Sequence, residues 1–233
     1  MIKPIVRTAT AAALALMSSW AVSGEPAEKA VADKLRAALT MPALGMEVDT
    51  IETSAIPGLY EVQFTSGPVV YSTATGEHII LGDLFSVDEK GYTNLTEQRR
   101  DGERVGKLAE VKEKDMIIFS PEGETRAHIT VFTDVSCFYC QKLHKEVPEL
   151  NKRGVEVRYL AYPRSGLDSP GYRQLATAWC GSDRQDAITR LKAQQSVPEN
   201  VCEENPVADQ FALGQQLGVR GTPAMVTETG TLI

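Results

Sequence analysis

Three hydrophobic patterns succeed one another along the chain, and each predicts a different kind of structure. In residues 25–39, Ala30, Leu35 and Leu39 recur among Glu and Lys, and Pro42 and Gly45 close the run, so a short amphipathic helix is predicted. From Met46 the pattern becomes alternation: Val48, Ile51, then Leu59, Val62 and Phe64, then Val69-Val70-Tyr71 and His78-Ile79-Ile80. Pro57-Gly58, Ser66-Gly67-Pro68 and Thr75-Gly76 punctuate these runs like hairpin turns, which predicts a small antiparallel meander within residues 24–90. Such a meander of about 60 residues has little of its own to bury and leaves sheet edges open. Two copies joined edge to edge would satisfy those backbone groups. Packing on the rest of its own chain is the alternative.

Residues 91–115 are mostly charged, with Leu95, Val105, Leu108 and Val111 as their few apolar positions. A linker helix is predicted there, with weak points at Gly102 and Gly106, each costing about 1 kcal/mol relative to Ala. From Met116 the pattern changes to strands alternating with helices: strands at 116–119, 128–132 and 155–160, helices at 138–150, 172–180, 183–194 and 207–217. A parallel strand pair with a crossover helix follows from that order, and residues 221–226 return to the sheet. Val226-Thr227 and Thr231-Leu232-Ile233 read as a last hairpin around Glu228-Thr229-Gly230.

The N-terminus adds an address. Lys3 and Arg7 precede an apolar run over residues 9–17 that leads into small residues at Ala21-Val22-Ser23-Gly24, the layout of a cleaved secretory signal over residues 1–23. That run is too short for the ~20 apolar residues of a membrane span. The expected compartment is therefore outside the inner membrane. Net charge is −7 over 233 residues, and removing Lys3 and Arg7 makes it more negative still. Nucleic acid is excluded as a partner on that balance, because no cluster of Lys or Arg stands against it.

Four cysteines in an exported chain suit a compartment that tolerates disulfides. Cys137 and Cys140 are two residues apart, where a loop so short gains little by closure; they are the chemical pair. Cys180 and Cys202 would close a longer loop, for which chain entropy gives about 3.4 kcal/mol, and they are the structural pair. Cys137 opens a helix directly after a strand, so the free N–H groups and dipole of the first turn favour its thiolate. That makes Cys137 the nucleophile and Cys140, one turn on, the resolving thiol. A metal site would use Cys137, Cys140 and His144, but no second close pair completes it. No metal and no cofactor are expected, and His144 is expected to be a solvated surface histidine. Thr222-Pro223 is the second piece of the site, an X-Pro bond that a tight turn can hold cis.

Taken in order, Val131-Phe132-Thr133-Asp134 before Cys137-Phe138-Tyr139-Cys140, the run Arg158-Tyr159-Leu160-Ala161-Tyr162-Pro163-Arg164, the Cys180/Cys202 pair and the approach to Gly221-Thr222-Pro223 form a pattern. The chain resembles the periplasmic disulfide isomerases of the DsbC type, within the thioredoxin-like superfamily. The resemblance implies an α+β / α/β fold with an N-terminal dimerisation sheet (24–90), a linker helix (91–115) and a thioredoxin-like catalytic domain (116–233). It implies V-shaped homodimers with both sites facing an apolar cleft, and a cis-proline loop at Thr222-Pro223 that pairs with an extended client. The implied partners are misfolded disulfide-containing exported proteins and a DsbD-type membrane thiol reductase.

Two positions depart from the family. Phe138-Tyr139 stands where its isomerases commonly carry Gly-Tyr, and the intervening pair tunes thiolate stability and redox poise. Phe138 also adds an apolar contact for unfolded clients. The relatives continue into a last helix, which is missing from a sequence ending at Ile233. The leading expectation is a homodimeric disulfide isomerase with possible chaperone activity. The alternatives are a reductase or oxidase of the same fold, or a holdase without redox turnover.

Overall fold

The computed structural model describes residues 24–65 and 67–233; the signal segment expected at 1–23 lies outside the described residues. The first helix, α1 (Lys29–Leu39), starts later than its pattern suggests. Residues ahead of it are extended and bonded to the first strand, with Ala27 N–H donating to the Ile51 carbonyl and Thr53 N–H to that of Glu25. Pro26 lies in this stretch, opposite Glu52.

The meander consists of β1 (Val48–Thr53), β2 (Leu59–Phe64), β3 (Val70–Thr73) and β4 (Ile79–Leu81), antiparallel in that order. Ile51, Val62 and Val70 are cross-strand neighbours on one face, and with Leu35 and Leu39 of α1 they form its core. That helix covers the first three strands and leaves β4 open. Ile79, Ile80 and Leu81 are all exposed, on both faces of a sheet edge.

A second hairpin, β5 (Phe85–Asp88) and β6 (Gly91–Asn94), takes the first residues of the expected linker. The helix itself, α2 (Leu95–Ala109), starts where the Asn94 side chain accepts from Glu97 N–H, a regular N-cap. It runs unbroken through Gly102 and Gly106, where an added Cβ would meet nothing within 4 Å. Its charged residues tie it to both sides. Arg99 pairs with Glu52 and Glu61 of the meander, while Arg104 is buried against the Leu217 and Gly230 carbonyls.

The remaining chain forms a sheet of β7 (Ile117–Phe119), β8 (Ala127–Thr133), β9 (Val155–Ala161) and β10 (Ala224–Thr227) in the order β10-β8-β9-β7. Only β8 and β9 are parallel, and the crossover between them carries α3 (Phe138–Lys152). Three helices stand between β9 and β10: α4 (Pro170–Trp179), α5 (Arg184–Lys192) and α6 (Val207–Gln216).

Side chains alternate across the central strands. Val131, Val157 and Tyr159 pack with α3, α4 and α5, while Phe132 and Leu160 face Phe211 and Leu213 of α6 and Leu108 of α2. Both faces are covered, which is why these strands read as apolar runs rather than alternation. The last residues pair back on β10 as the expected hairpin, with Met225 and Ile233 exchanging both backbone bonds. No helix among the described residues is long and apolar enough to cross a membrane.

Candidate active site

At the end of β8 the chain turns on one buried carboxylate. Asp134 accepts from Ser136 N–H at 2.7 Å, from the Ser136 hydroxyl, and from Arg164 N–H at 2.9 Å. It thereby fixes the loop that delivers Cys137 to the start of α3 and the loop that follows β9. Cys137 is itself the N-cap of that helix: its sulfur accepts from Cys140 N–H at 3.4 Å. Sulfur thus stands in the place of the usual capping oxygen.

Thr222 comes from the other end of the domain. The Thr222–Pro223 peptide is cis, directly before β10, and the Thr222 carbonyl accepts the Cys137 thiol at 3.2 Å. The buried Thr222 hydroxyl has no hydrogen-bond partner, although it borders both sulfurs. A thiolate at Cys137 supplies the missing acceptor. The carbonyl favours the protonated thiol and the hydroxyl favours the anion, so ionisation exchanges one contact for the other.

Burial opposes charge on Cys137, but the Thr222 hydroxyl and Cys140 N–H, both placed to donate to the anion, outweigh it, helped by the Arg164 charge, and its pKa lies below that of an ordinary cysteine. At Cys140, deeper in the same helix, burial prevails and pushes the thiol up. The two thiols are therefore unlike. Both are nearly inaccessible, at 1 % exposed each, whereas Phe138 and Tyr139 between them are 70 % and 66 % exposed. Those two rings meet edge to face, with centroids 5.5 Å apart, as an aromatic knob beside the sulfurs.

Cys180 and Cys202 lie away from this site, on the helical insertion, and are bonded to each other with Cα atoms 5.8 Å apart. His144 corrects an expectation, because it is not a solvated surface group. Its ring is half-buried, with Nδ1 3.0 Å from the Tyr159 hydroxyl and Nε2 3.0 Å from that of Thr189. Burial, then the nearby Lys192 charge, lowers its pKa to about 4, so it is neutral at physiological pH. Among the described residues, no cluster of three metal-ligating side chains occurs.

Sequence reasoning missed Lys192. It is 3 % exposed, near the end of α5, and its ammonium donates to the Thr133 hydroxyl at 2.6 Å. The signal was present, since Lys192 stands four residues after Ile188 and next to Leu191, inside the apolar stripe of its helix.

Residues 22–97 match the family model of the disulfide bond isomerase protein N-terminal domain, and residues 112–233 that of the thioredoxin-like domain. The chain is similar to the thiol:disulfide interchange protein DsbC of Escherichia coli K12, at 38 % identity over 204 residues, 88 % of this chain and 83 % of the relative. The protein of that name in Haemophilus influenzae is 31 % identical over 207 residues, covering 89 % and 87 %. A crystal structure of a disulfide interchange protein from Neisseria gonorrhoeae superposes with a TM-score of 0.47 at 29 % identity, over 53 % of this chain and 86 % of that one.

Proposed function

This chain belongs to the DsbC-type family of thiol:disulfide interchange proteins, and on that premise we propose that it rearranges incorrect disulfides in exported proteins of the periplasm. The observation that carries the reading is the Cys137 sulfur at the N-terminus of α3, accepting from Cys140 N–H beside an unpartnered Thr222 hydroxyl. Cys137 thiolate attacks one sulfur of a client disulfide, and the other client sulfur leaves as a thiolate. A second client thiolate then displaces Cys137, leaving a rearranged client and the original enzyme. Otherwise Cys140 attacks Cys137, closes the enzyme disulfide and releases the reduced client. The outcome depends on which thiolate arrives first.

The client lies along Thr222 and Pro223 as an added strand, and its apolar side chains rest on Phe138 and Tyr139. Their exposure supports this docking role. Cys180–Cys202 serves stability. Residues 24–90 act as the dimerisation unit, 91–115 as the linker and 116–233 as the catalytic unit. In support, β4 offers an open edge with exposed Ile79, Ile80 and Leu81, and the neighbouring hairpin exposes Phe85, Val87 and Tyr92. Apolar groups gathered at a sheet edge favour pairing with a second copy. A membrane thiol reductase of the DsbD type returns oxidised Cys137 and Cys140 to thiols, and the apolar surfaces lend chaperone activity.

Trapping tests the exchange roles. A Cys140→Ala chain mixed with a scrambled disulfide protein is expected to accumulate a covalent adduct at Cys137 that dithiothreitol dissolves. Absence of any adduct, with Cys137 accessible to an alkylating reagent, contradicts the reading.

A further inference from the structure

Lys192 is a charge in a place that ordinarily rejects one. Its side chain is almost wholly buried, no carboxylate among the described residues lies within salt-bridge distance, and its hydrogen bond goes to the neutral Thr133 hydroxyl. Around it stand the Tyr159 ring of β9, 5.1 Å from the nitrogen, then His144 and Cys140 of α3, with Asp134 and Cys137 beyond. Asp134 is itself saturated by Ser136 and Arg164. His144 is neutral and held between two hydroxyls. A Cys137 thiolate already accepts from Cys140 N–H and borders the Thr222 hydroxyl, which leaves the Cys140 thiolate as the anion the ammonium can serve. Thr133, which holds the ammonium, directly precedes Asp134, whose backbone favours the Cys140 thiolate as well.

We infer that Lys192 is a positioning residue for the resolving step: its buried ammonium stabilises the Cys140 thiolate from behind, and so sets how often Cys140, rather than a client thiol, opens the mixed disulfide at Cys137. This rests on the exchange roles proposed above. The electrostatics are reciprocal, as they must be for two coupled groups. Burial lowers the Lys192 pKa to about 8, charge on Cys140 raises it, and the Lys192 charge in turn lowers that of Cys140.

The step balances without any further reactant. Cys140 gives its proton to the Lys192 amine or to water, its sulfur bonds to Cys137, the bond between Cys137 and the client breaks, and the client leaves with the electron pair as a thiolate. A groove of about 870 Å³ reaches Lys192, His144, Gln141 and Thr189 from the side of α3 and α5. The proton can therefore be exchanged with solvent behind the site while a client covers the front.

Ellman's reagent reads both halves of the reaction in one trace on the reduced full chain. Its first aromatic thiolate reports attack by Cys137, and its second reports closure by Cys140. In Lys192→Met the first phase is expected to slow less than the second, because Cys137 feels the Lys192 charge more weakly than Cys140 does. The second is expected about tenfold slower at neutral pH, with its pH midpoint raised by about one unit or more. Lys192→Arg, which keeps the charge, is expected to restore the second phase. An unchanged second phase and midpoint in Lys192→Met overturns the inference. Loss of a Cys137-dependent first phase in the native chain overturns the exchange roles themselves, so the two failures are distinct. A measurement that keeps the lysine covers a misfolded variant: Lys192 Nζ, titrated by NMR, should have a lower midpoint in Cys140→Ala than in the native chain. Equal midpoints refute the coupling.

Discussion

Arg104 holds α2 against the thioredoxin-like domain, and its removal has a calculable cost. Its guanidinium donates to the Leu217 carbonyl at 3.1 Å and the Gly230 carbonyl at 3.3 Å, and pairs with Glu97 at 2.7 Å and Asp101 at 2.8 Å. Arg104→Met keeps the apolar stem and deletes all four contacts. Breaking a buried ionic network by removing one partner costs about 3–5 kcal/mol. Glu97 side-chain exposure is 37 %, and it retains Arg100, so water and that second arginine recover part of the loss. The lower end, about 3 kcal/mol, is the expected value. With a urea m-value of about 2 kcal/mol/M, the unfolding midpoint falls by about 1.5 M. Arg100→Met is the control, because that side chain is 30 % exposed and pairs with half-exposed carboxylates, so its change stays below about 1 kcal/mol. Equal midpoints for the native chain and Arg104→Met, or equal losses in the two variants, would refute the reasoning.

Four further outcomes follow from the same geometry. Alkylation of Cys137 in a Cys140→Ala chain should follow a thiolate midpoint below the ordinary 9.0, while Cys140 in a Cys137→Ala chain should titrate above it; the reverse order contradicts the site electrostatics. Replacing Cys180 and Cys202 together by Ala opens a loop of sequence separation 22 and should lower unfolding free energy by about 3.4 kcal/mol in urea titration, with the Cys137 reaction rate retained. Gly230 has φ +89°, and a Cβ there would lie 1.9 Å from the Asp101 carbonyl oxygen, so Gly230→Ala should cost more than about 2 kcal/mol through left-handed strain and displacement of α2. Lys192 has its pKa lowered on folding from 10.5 to about 8, so its burial penalty is present in full below about 8 and is relieved as pH rises toward 10.5. Lys192→Met should therefore be more stable than the native chain near neutrality by up to about 3 kcal/mol, with the gap closing in that alkaline window.

The thioredoxin-like half is legible in the sequence because both signals there are local. Cys137 follows a strand and opens a helix, and strand ends with helix starts are marked by runs such as Val131-Phe132-Thr133-Asp134. The hairpin at β5 and β6 was hidden because its apolar side chains, Phe85, Val87 and Tyr92, are exposed and so form no face that a core would dictate. Residues 25–28 carry a helical pattern but are extended, since pairing with β1 is a tertiary contact that overrides local pattern. His144 is hidden for a related reason, and Lys192 shows in the sequence only as a polar residue inside an apolar stripe. Neither partner of His144, Tyr159 or Thr189, is near it in sequence, and the burial of Lys192 depends on how α5 lies against β8 and β9. Polar groups that meet only across elements leave no periodic trace.

The claim that this chain rearranges disulfides through Cys137 is tested most directly by reactivation of a scrambled, disulfide-rich enzyme in a glutathione buffer. The native chain should restore activity faster than buffer alone, Cys140→Ala should retain part of that gain, and Cys137→Ala should restore none. Equal recovery with Cys137→Ala and with the native chain would contradict the account.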